Sequence, residues 1–184
     1  MSRRIQIILF IVTVLLIVII VPVIVPVPPL MKIQPVGQLK YSDSQFVEVE
    51  GESIHFRQSG SGEPLILLLH GFGASTYSWD KTRGRFSQYG TVVAFDRPAF
   101  GLSERPILTG KETTNPYSSS FQLEIINYFR SKYQSNKVIL VGNSAGGNLA
   151  IQYALLNPDN VAGLILVDPA IYGHSGAPVW VKPF

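Results

Sequence analysis

Val138-Ile139-Leu140-Val141-Gly142-Asn143-Ser144-Ala145-Gly146-Gly147 is the stretch on which the reading of this 184-residue chain turns. Residues 137–141 are a short, continuous apolar run, the pattern of a strand buried on both faces of a parallel sheet. Residues 145–156 follow as a helix, stopped by Asn157-Pro158. Between them lies a G-x-S-x-G pentapeptide, and strand–turn–helix is the setting in which that motif presents a serine nucleophile. The chain must reverse within a few residues, which forces Ser144 into a strained backbone conformation. Gly142 and Gly146 leave room for the close approach of strand and helix. The hydroxyl then stands at a helix N-terminus, where free N–H groups favour developing negative charge. The plainer alternative is a strand-to-helix turn with Ser144 as an ordinary N-cap.

Working outward, residues 65–69, 91–95 and 161–167 repeat the short apolar run. Residues 118–133 place Phe121, Ile125, Tyr128 and Phe129 on one helical face. Residues 46–50 and 53–58 read as a hairpin of short strands around Gly51-Glu52. Strands alternating with helices predict an α/β fold with a mostly parallel sheet. Active sites in such sheets form at the carboxyl ends of the strands. Those ends are His70-Gly71-Phe72-Gly73, Asp96-Arg97-Pro98-Ala99, Gly142-Asn143-Ser144-Ala145 and Asp168-Pro169-Ala170.

In their order and spacing, from about residue 46 to 172, these segments resemble the α/β-hydrolase fold superfamily. His70-Gly71-Phe72-Gly73 resembles its oxyanion loop. Residues 95–106 resemble its D-x-P-G-x-G-x-S segment, with Ala99 in place of the usual glycine, and residues 141–147 resemble its nucleophile elbow. The resemblance implies that Ser144 is the nucleophile of a serine hydrolase, with the backbone N–H groups of Phe72 and Ala145 as the oxyanion hole. Position after the nucleophile assigns Ala145 to that role independently. The resemblance implies that His70 braces its loop, and chain order in this fold, Ser, then acid, then His, argues against it as the base. His55 is expected on the surface of the hairpin, and Asp96 as a loop organiser. Asp168 and His174 are the candidates for triad acid and base within the chain, although Asp168 follows its strand directly, where a structural acceptor is the commoner finding. The resemblance also implies that the sheet is truncated after about the sixth strand. The chain is expected to be a fragment lacking the triad acid and His, with a cap or lid beginning at 173–184.

Residues 5–31 carry no charge, and residues 5–25 are almost wholly Ile, Val and Leu. About 20 such residues cross a bilayer core of ~30 Å. A cleaved signal peptide competes with this reading, but no small residues offer a cleavage site: the first alanine is Ala74. An uncleaved signal-anchor is expected at 1–27, ended by Pro22, Pro26, Pro28 and Pro29. A linker at 28–45 and a hydrolase core at 46–172 follow. Arg3 and Arg4 would keep the N-terminus cytoplasmic and the catalytic part outside.

The net charge is +3 and the basic residues are scattered, which excludes a nucleic-acid groove. The chain contains no cysteine, which excludes disulfides and thiolate chemistry. No metal-ligand cluster or phosphate loop calls for a cofactor. The expected partners are a small-molecule acyl substrate, an ester first, and the membrane. A serine argues against epoxide hydrolase or dehalogenase chemistry, which uses a carboxylate nucleophile. The alternatives are an inactive hydrolase-fold remnant serving as a membrane-tethered binding module, and a divergent enzyme using Asp168 and His174.

Overall fold

A computed structural model describes residues 2–25, 34–110 and 114–171, in two compact units, Met1–Gln38 and Leu39–Phe184. The expected cap start at 173–184, with His174, lies outside the described residues.

The first unit is dominated by α1 (Arg3–Ile24), a helix of 22 residues. At 1.5 Å per residue it is about 33 Å long, enough to cross a bilayer core. Its apolar side chains from Ile5 to Val21 are exposed. Proline does not end it at once: the helix runs two residues past Pro22, and the Val25 N–H still donates to the Val21 carbonyl at 2.8 Å. A single helical turn, α2 (Val36–Leu39), lies further along the chain.

The second unit is built on a six-stranded sheet. In chain order its elements are β1 (Ser44–Val49), β2 (Glu52–Ser59), β3 (Leu65–Leu69), a 3-10 turn (Thr76–Trp79), α3 (Asp80–Phe86), β4 (Thr91–Phe95), α4 (Ser119–Lys132), β5 (Val138–Asn143), α5 (Ala145–Leu156), a second 3-10 turn (Pro158–Asn160) and β6 (Val161–Val167). The strand order is β1-β2-β4-β3-β5-β6. β1 and β2 form the expected hairpin and β2 joins β4 antiparallel, while β3, β4, β5 and β6 are parallel. The hairpin turns at Glu50-Gly51, both at positive φ, so β2 begins at Glu52.

The continuous apolar runs have the predicted cause. Leu65, Leu67 and Leu69 pack with Val93, Phe95, α4 and α5. Ile66 and Leu68 point the other way, into a cluster with Val92, Ala94, Val141 and Trp79. Successive side chains alternate faces, so a strand covered on both sides must be apolar throughout. Phe121, Ile125 and Phe129 of α4 are buried, and Tyr128 packs at the margin. α3 carries no clear periodic signal. Asp80-Lys81-Thr82-Arg83-Gly84-Arg85 is almost wholly polar, and what holds it is ionic.

Arg83 Nη2 meets Asp43 at 2.5 Å, Arg57 Nε meets the same carboxylate at 2.8 Å, and Arg57 also pairs with Asp80. Burial raises the cost of the Asp43 charge, but the hydrogen bonds from Arg57 and Arg83 outweigh it and hold its carboxyl below the usual range. The chain before β1 is thereby tied to β2 and α3.

β6 is the last strand of the sheet among the described residues, and Leu164, Ile165, Leu166 and Val167 are each more than a third exposed. An exposed apolar edge templates pairing with other chains. The chain stripped of its apolar N-terminal helix is therefore expected to self-associate, and Ile165→Lys to reduce that association in light scattering. A monodisperse, cooperatively melting parent chain would contradict this.

Candidate active site

The pentapeptide folds as a sharp elbow. Ser144 has φ +49° and ψ −114°, between the end of β5 and the first residue of α5. For a non-glycine residue this is strained by ~1–3 kcal/mol. An ordinary N-cap has extended φ and uses its side chain to accept a backbone N–H. Ser118, which starts α4, is such a cap: φ is −71° and its Oγ accepts from the Phe121 N–H at 3.2 Å. Ser144 is not, since its side chain caps nothing. Among the described residues no hydrogen bond engages its Oγ, and the residue is half-buried.

The neighbours hold this geometry. The Ser144 N–H and the Asn143 side-chain amide both donate to the Val167 carbonyl, at 3.0 and 3.1 Å. The Ala170 N–H returns to the Ser144 carbonyl at 3.0 Å. A Cβ on Gly146 would overlap the Leu69 carbonyl, and one on Gly142 would overlap the carbonyl of Gly146. Both glycines are thus required by close approach, as the spacing suggested.

Asp168 lies at the end of β6, exposed and at φ +43°. Its turn braces the elbow through Val167, Pro169 and Ala170, and its carboxylate bonds to no described residue.

The His70–Gly73 loop reaches the elbow from the end of β3. A Cβ on Gly71 would sit 2.8 Å from Asn143 Oδ1 and 3.4 Å from Ser144 Cβ. Phe72 and Ala145 therefore follow two segments in contact at the serine. The Phe72 side chain is 83% exposed and rests edge-on against Phe100, ring centroids 5.6 Å apart. An open cavity of about 250 Å³ lies beside the elbow, lined by His70, Gly71, Ser78, Trp79, Asn143 and Val167.

His70 is fully buried. Its Nδ1 donates to the Gly71 carbonyl at 2.8 Å, and its Nε2 accepts the Arg97 N–H at 3.1 Å. A carbonyl can only accept and an amide N–H only donate, so these partners fix a neutral ring with the proton on Nδ1. Burial, reinforced by the Arg97 charge, pushes the imidazole down to about 4. Such a ring is a brace, as expected.

The segment after β4 is organised by Asp96. Its carboxylate accepts from the Thr76 N–H at 2.6 Å, the Leu102 N–H at 2.9 Å and His55 Nδ1 at 2.7 Å. Burial alone would raise this carboxyl, but those hydrogen bonds, His55 first, keep it below its ordinary value. A Cβ on Gly101 would collide with the same carboxylate. His55, expected on the surface, is in fact fully buried, with its Nε2 on Ser44 Oγ at 2.8 Å. A hairpin at the margin of the sheet would expose His55, but β2 lies between β1 and β4 and its middle four residues are all buried. Four successive residues of mixed polarity carry no signal of two-sided burial, so sequence alone missed it.

The fold and this elbow define a hydrolase-type α/β protein. The chain belongs to the alpha/beta hydrolase fold family, whose profile matches residues 64–182. It is 43% identical over 105 residues to the abhydrolase domain-containing protein abhd-5.2 of Caenorhabditis elegans, covering 56% of this chain and 23% of that one. It is 34% identical over 119 residues to a rat (Rattus norvegicus) protein named 1-acylglycerol-3-phosphate O-acyltransferase ABHD5, covering 64% and 32%. Among solved structures, the epoxide hydrolase of Bacillus megaterium superposes with a TM-score of 0.60 at 27% identity, covering 68% of this chain and 42% of that one. The chain thus spans about a quarter to a third of the length of these two curated relatives.

Two predictions follow from the geometry. Ala99 occupies φ +70°, a region that favours glycine, so Ala99→Gly should raise stability by roughly 1 kcal/mol in a denaturant melt of the full chain in detergent. The unfolded chain protonates an ordinary imidazole near pH 6.5, whereas folded His70 resists protonation until about pH 4. Stability should be full above about pH 6.5 and fall as pH drops toward 4. In His70→Asn that fall should be visibly shallower; an unchanged slope would assign it to another group.

Proposed function

We propose that this chain carries the nucleophile and oxyanion hole of a membrane-anchored serine hydrolase acting on an ester. The carrying observation is the backbone of Ser144, strained at φ +49°, with no capping role and with Gly71 against its side chain. Strain of this kind persists only where the surroundings impose it, and it collects at active sites. Ser144 Oγ attacks the acyl carbonyl, and the N–H groups of Phe72 and Ala145 receive the oxyanion. The proton passes to a general base; His174 is the candidate this chain offers, with Asp168 as its acid. The tetrahedral intermediate collapses to an acyl-serine as the base returns the proton to the departing alcohol, and water, deprotonated by the same base, then releases the acid and frees Ser144.

The solved neighbour named as an epoxide hydrolase supports the fold more than the reaction. Opening an epoxide through an alkyl-ester intermediate needs a carboxylate where this chain has a serine. The rat relative's name favours a second reading, in which an alcohol replaces water as acyl acceptor. Both readings share the acyl-serine. α1 is long and apolar enough to serve as the anchor, with Arg3 and Arg4 holding the N-terminus in the cytoplasm and the hydrolase part outside.

A fluorophosphonate probe tests the reading on the full chain in membranes. Labelling should occur and vanish in Ser144→Ala. Loss of labelling in His174→Ala as well would identify the base. No labelling of the folded chain would favour a membrane-tethered binding module. Resistance of the labelled protein to alkaline extraction would support the anchor, and its release would support a cleaved signal.

A further inference from the structure

Gly71 contributes the carbonyl of the peptide bond whose N–H belongs to Phe72. In a trans peptide these two groups point in opposite directions, so fixing one aims the other. The Gly71 oxygen is gripped from behind by two side chains. His70 Nδ1 donates at 2.8 Å and Arg97 Nη2 at 3.0 Å. The Phe72 N–H on the opposite side donates to no described residue.

Arg97 is held in place for this. Its Nη1 donates to Gln122 Oε1 at 3.2 Å, its guanidinium lies 5.0 Å from the centre of the Phe100 ring, and its own N–H donates to His70 Nε2. Residues 70 and 97 therefore lock each other as well as Gly71. The side chain is 7% exposed, its Nε has no partner, and no carboxylate pairs with it among the described residues. A buried cation without a counter-charge is expensive. A neutral residue could bridge the two loops at lower cost. What the guanidinium adds is a planar fork and a full positive charge on one carbonyl oxygen. Charge on that oxygen polarises the amide and strengthens the N–H at its other end as a donor.

We propose that Arg97 is a positioning residue for acyl transfer: with His70 it sets the plane of the Gly71–Phe72 peptide and so presents the Phe72 N–H to the oxyanion formed at Ser144. This rests on the serine-nucleophile reading above. The gain is made in the transition state, where the oxyanion exists, and not in initial binding. Loss of the grip should therefore lower the rate of reaction and leave binding alone.

The test is the fluorophosphonate kinetics of the full chain in detergent, resolved into the reversible constant KI and the covalent rate kinact. Arg97→Met should lower kinact at least ~10-fold, part of the ~10²–10³ that loss of a whole oxyanion donor costs, with KI within about twofold. The Phe72 amide resonance should shift in the same variant, a change that a merely structural arginine need not produce. If Arg97→Met does not fold, Arg97→Lys decides, because it keeps the charge and loses the fork. A reduced kinact and a shifted Phe72 amide in the folded Lys variant support the proposal. Wild-type kinact and an unmoved Phe72 amide in either folded variant overturn it. No labelling of the wild-type chain would instead remove the serine-nucleophile reading itself, a failure distinct from that of Arg97.

Discussion

At Ser144 the chain reverses from β5 into α5, and the loops after β3 and β6 close on that turn from either side. A strand cannot pass into a helix in so few residues without one residue leaving the favoured backbone regions, and here that residue is Ser144. The conformation survives because both flanks are fixed. β3 lies on one side of β5 and β6 on the other. The β3 side supplies Leu69 and Gly71, packed against Gly146 and Ser144. The β6 side supplies the Val167 carbonyl and the Ala170 N–H. Strand order thus does chemical work: it brings two loops, distant in sequence, to the same serine.

A second layer of polar groups makes those loops rigid. Asp96, His55, Ser103 and Thr76 form one buried set, and His70, Arg97 and Gly71 form another. The two sets share the backbone at Asp96-Arg97, so the segment after β4 anchors both. Charge is tolerated here because almost every lone pair and proton has a partner. The Arg97 Nε is the exception, and it sits in the set that holds the loop after β3.

The parts of this arrangement that could be read from sequence were those encoded locally. The apolar runs of β3, β4 and β5 follow from two-sided burial, the α4 face from its 3.6-residue period, and the elbow from glycines at fixed offsets from Ser144. The family resemblance marks His70 as a brace, and its tautomer adds the reason. What stayed hidden depends on partners far along the chain. Asp43 meets Arg83 forty residues later, and His55 meets Asp96 forty-one later. No periodicity records such pairs. In the sequence Arg97 is one letter of a motif, and its burial and its hold on Gly71 emerge only when β3 and β4 lie side by side. Ala99 shows the converse: the departure from glycine was visible in the sequence, and the backbone at φ +70° shows where the cost falls.

The central position of β3 also bears on the order in which the molecule can be assembled during synthesis. β3 bonds to β4 on one edge and to β5 on the other, in register from Leu65↔Val138 to Leu69↔Gly142. Roughly seventy residues must leave the ribosome after Leu69 before the first residue of β5 exists, which takes ~4–14 s at ~5–20 residues per second. For that interval one edge of an entirely apolar strand has no neighbour. Ser144 can be forced into its unusual backbone only afterwards, when β6 has also emerged. Ser144 is therefore among the last of the described residues to take its final form.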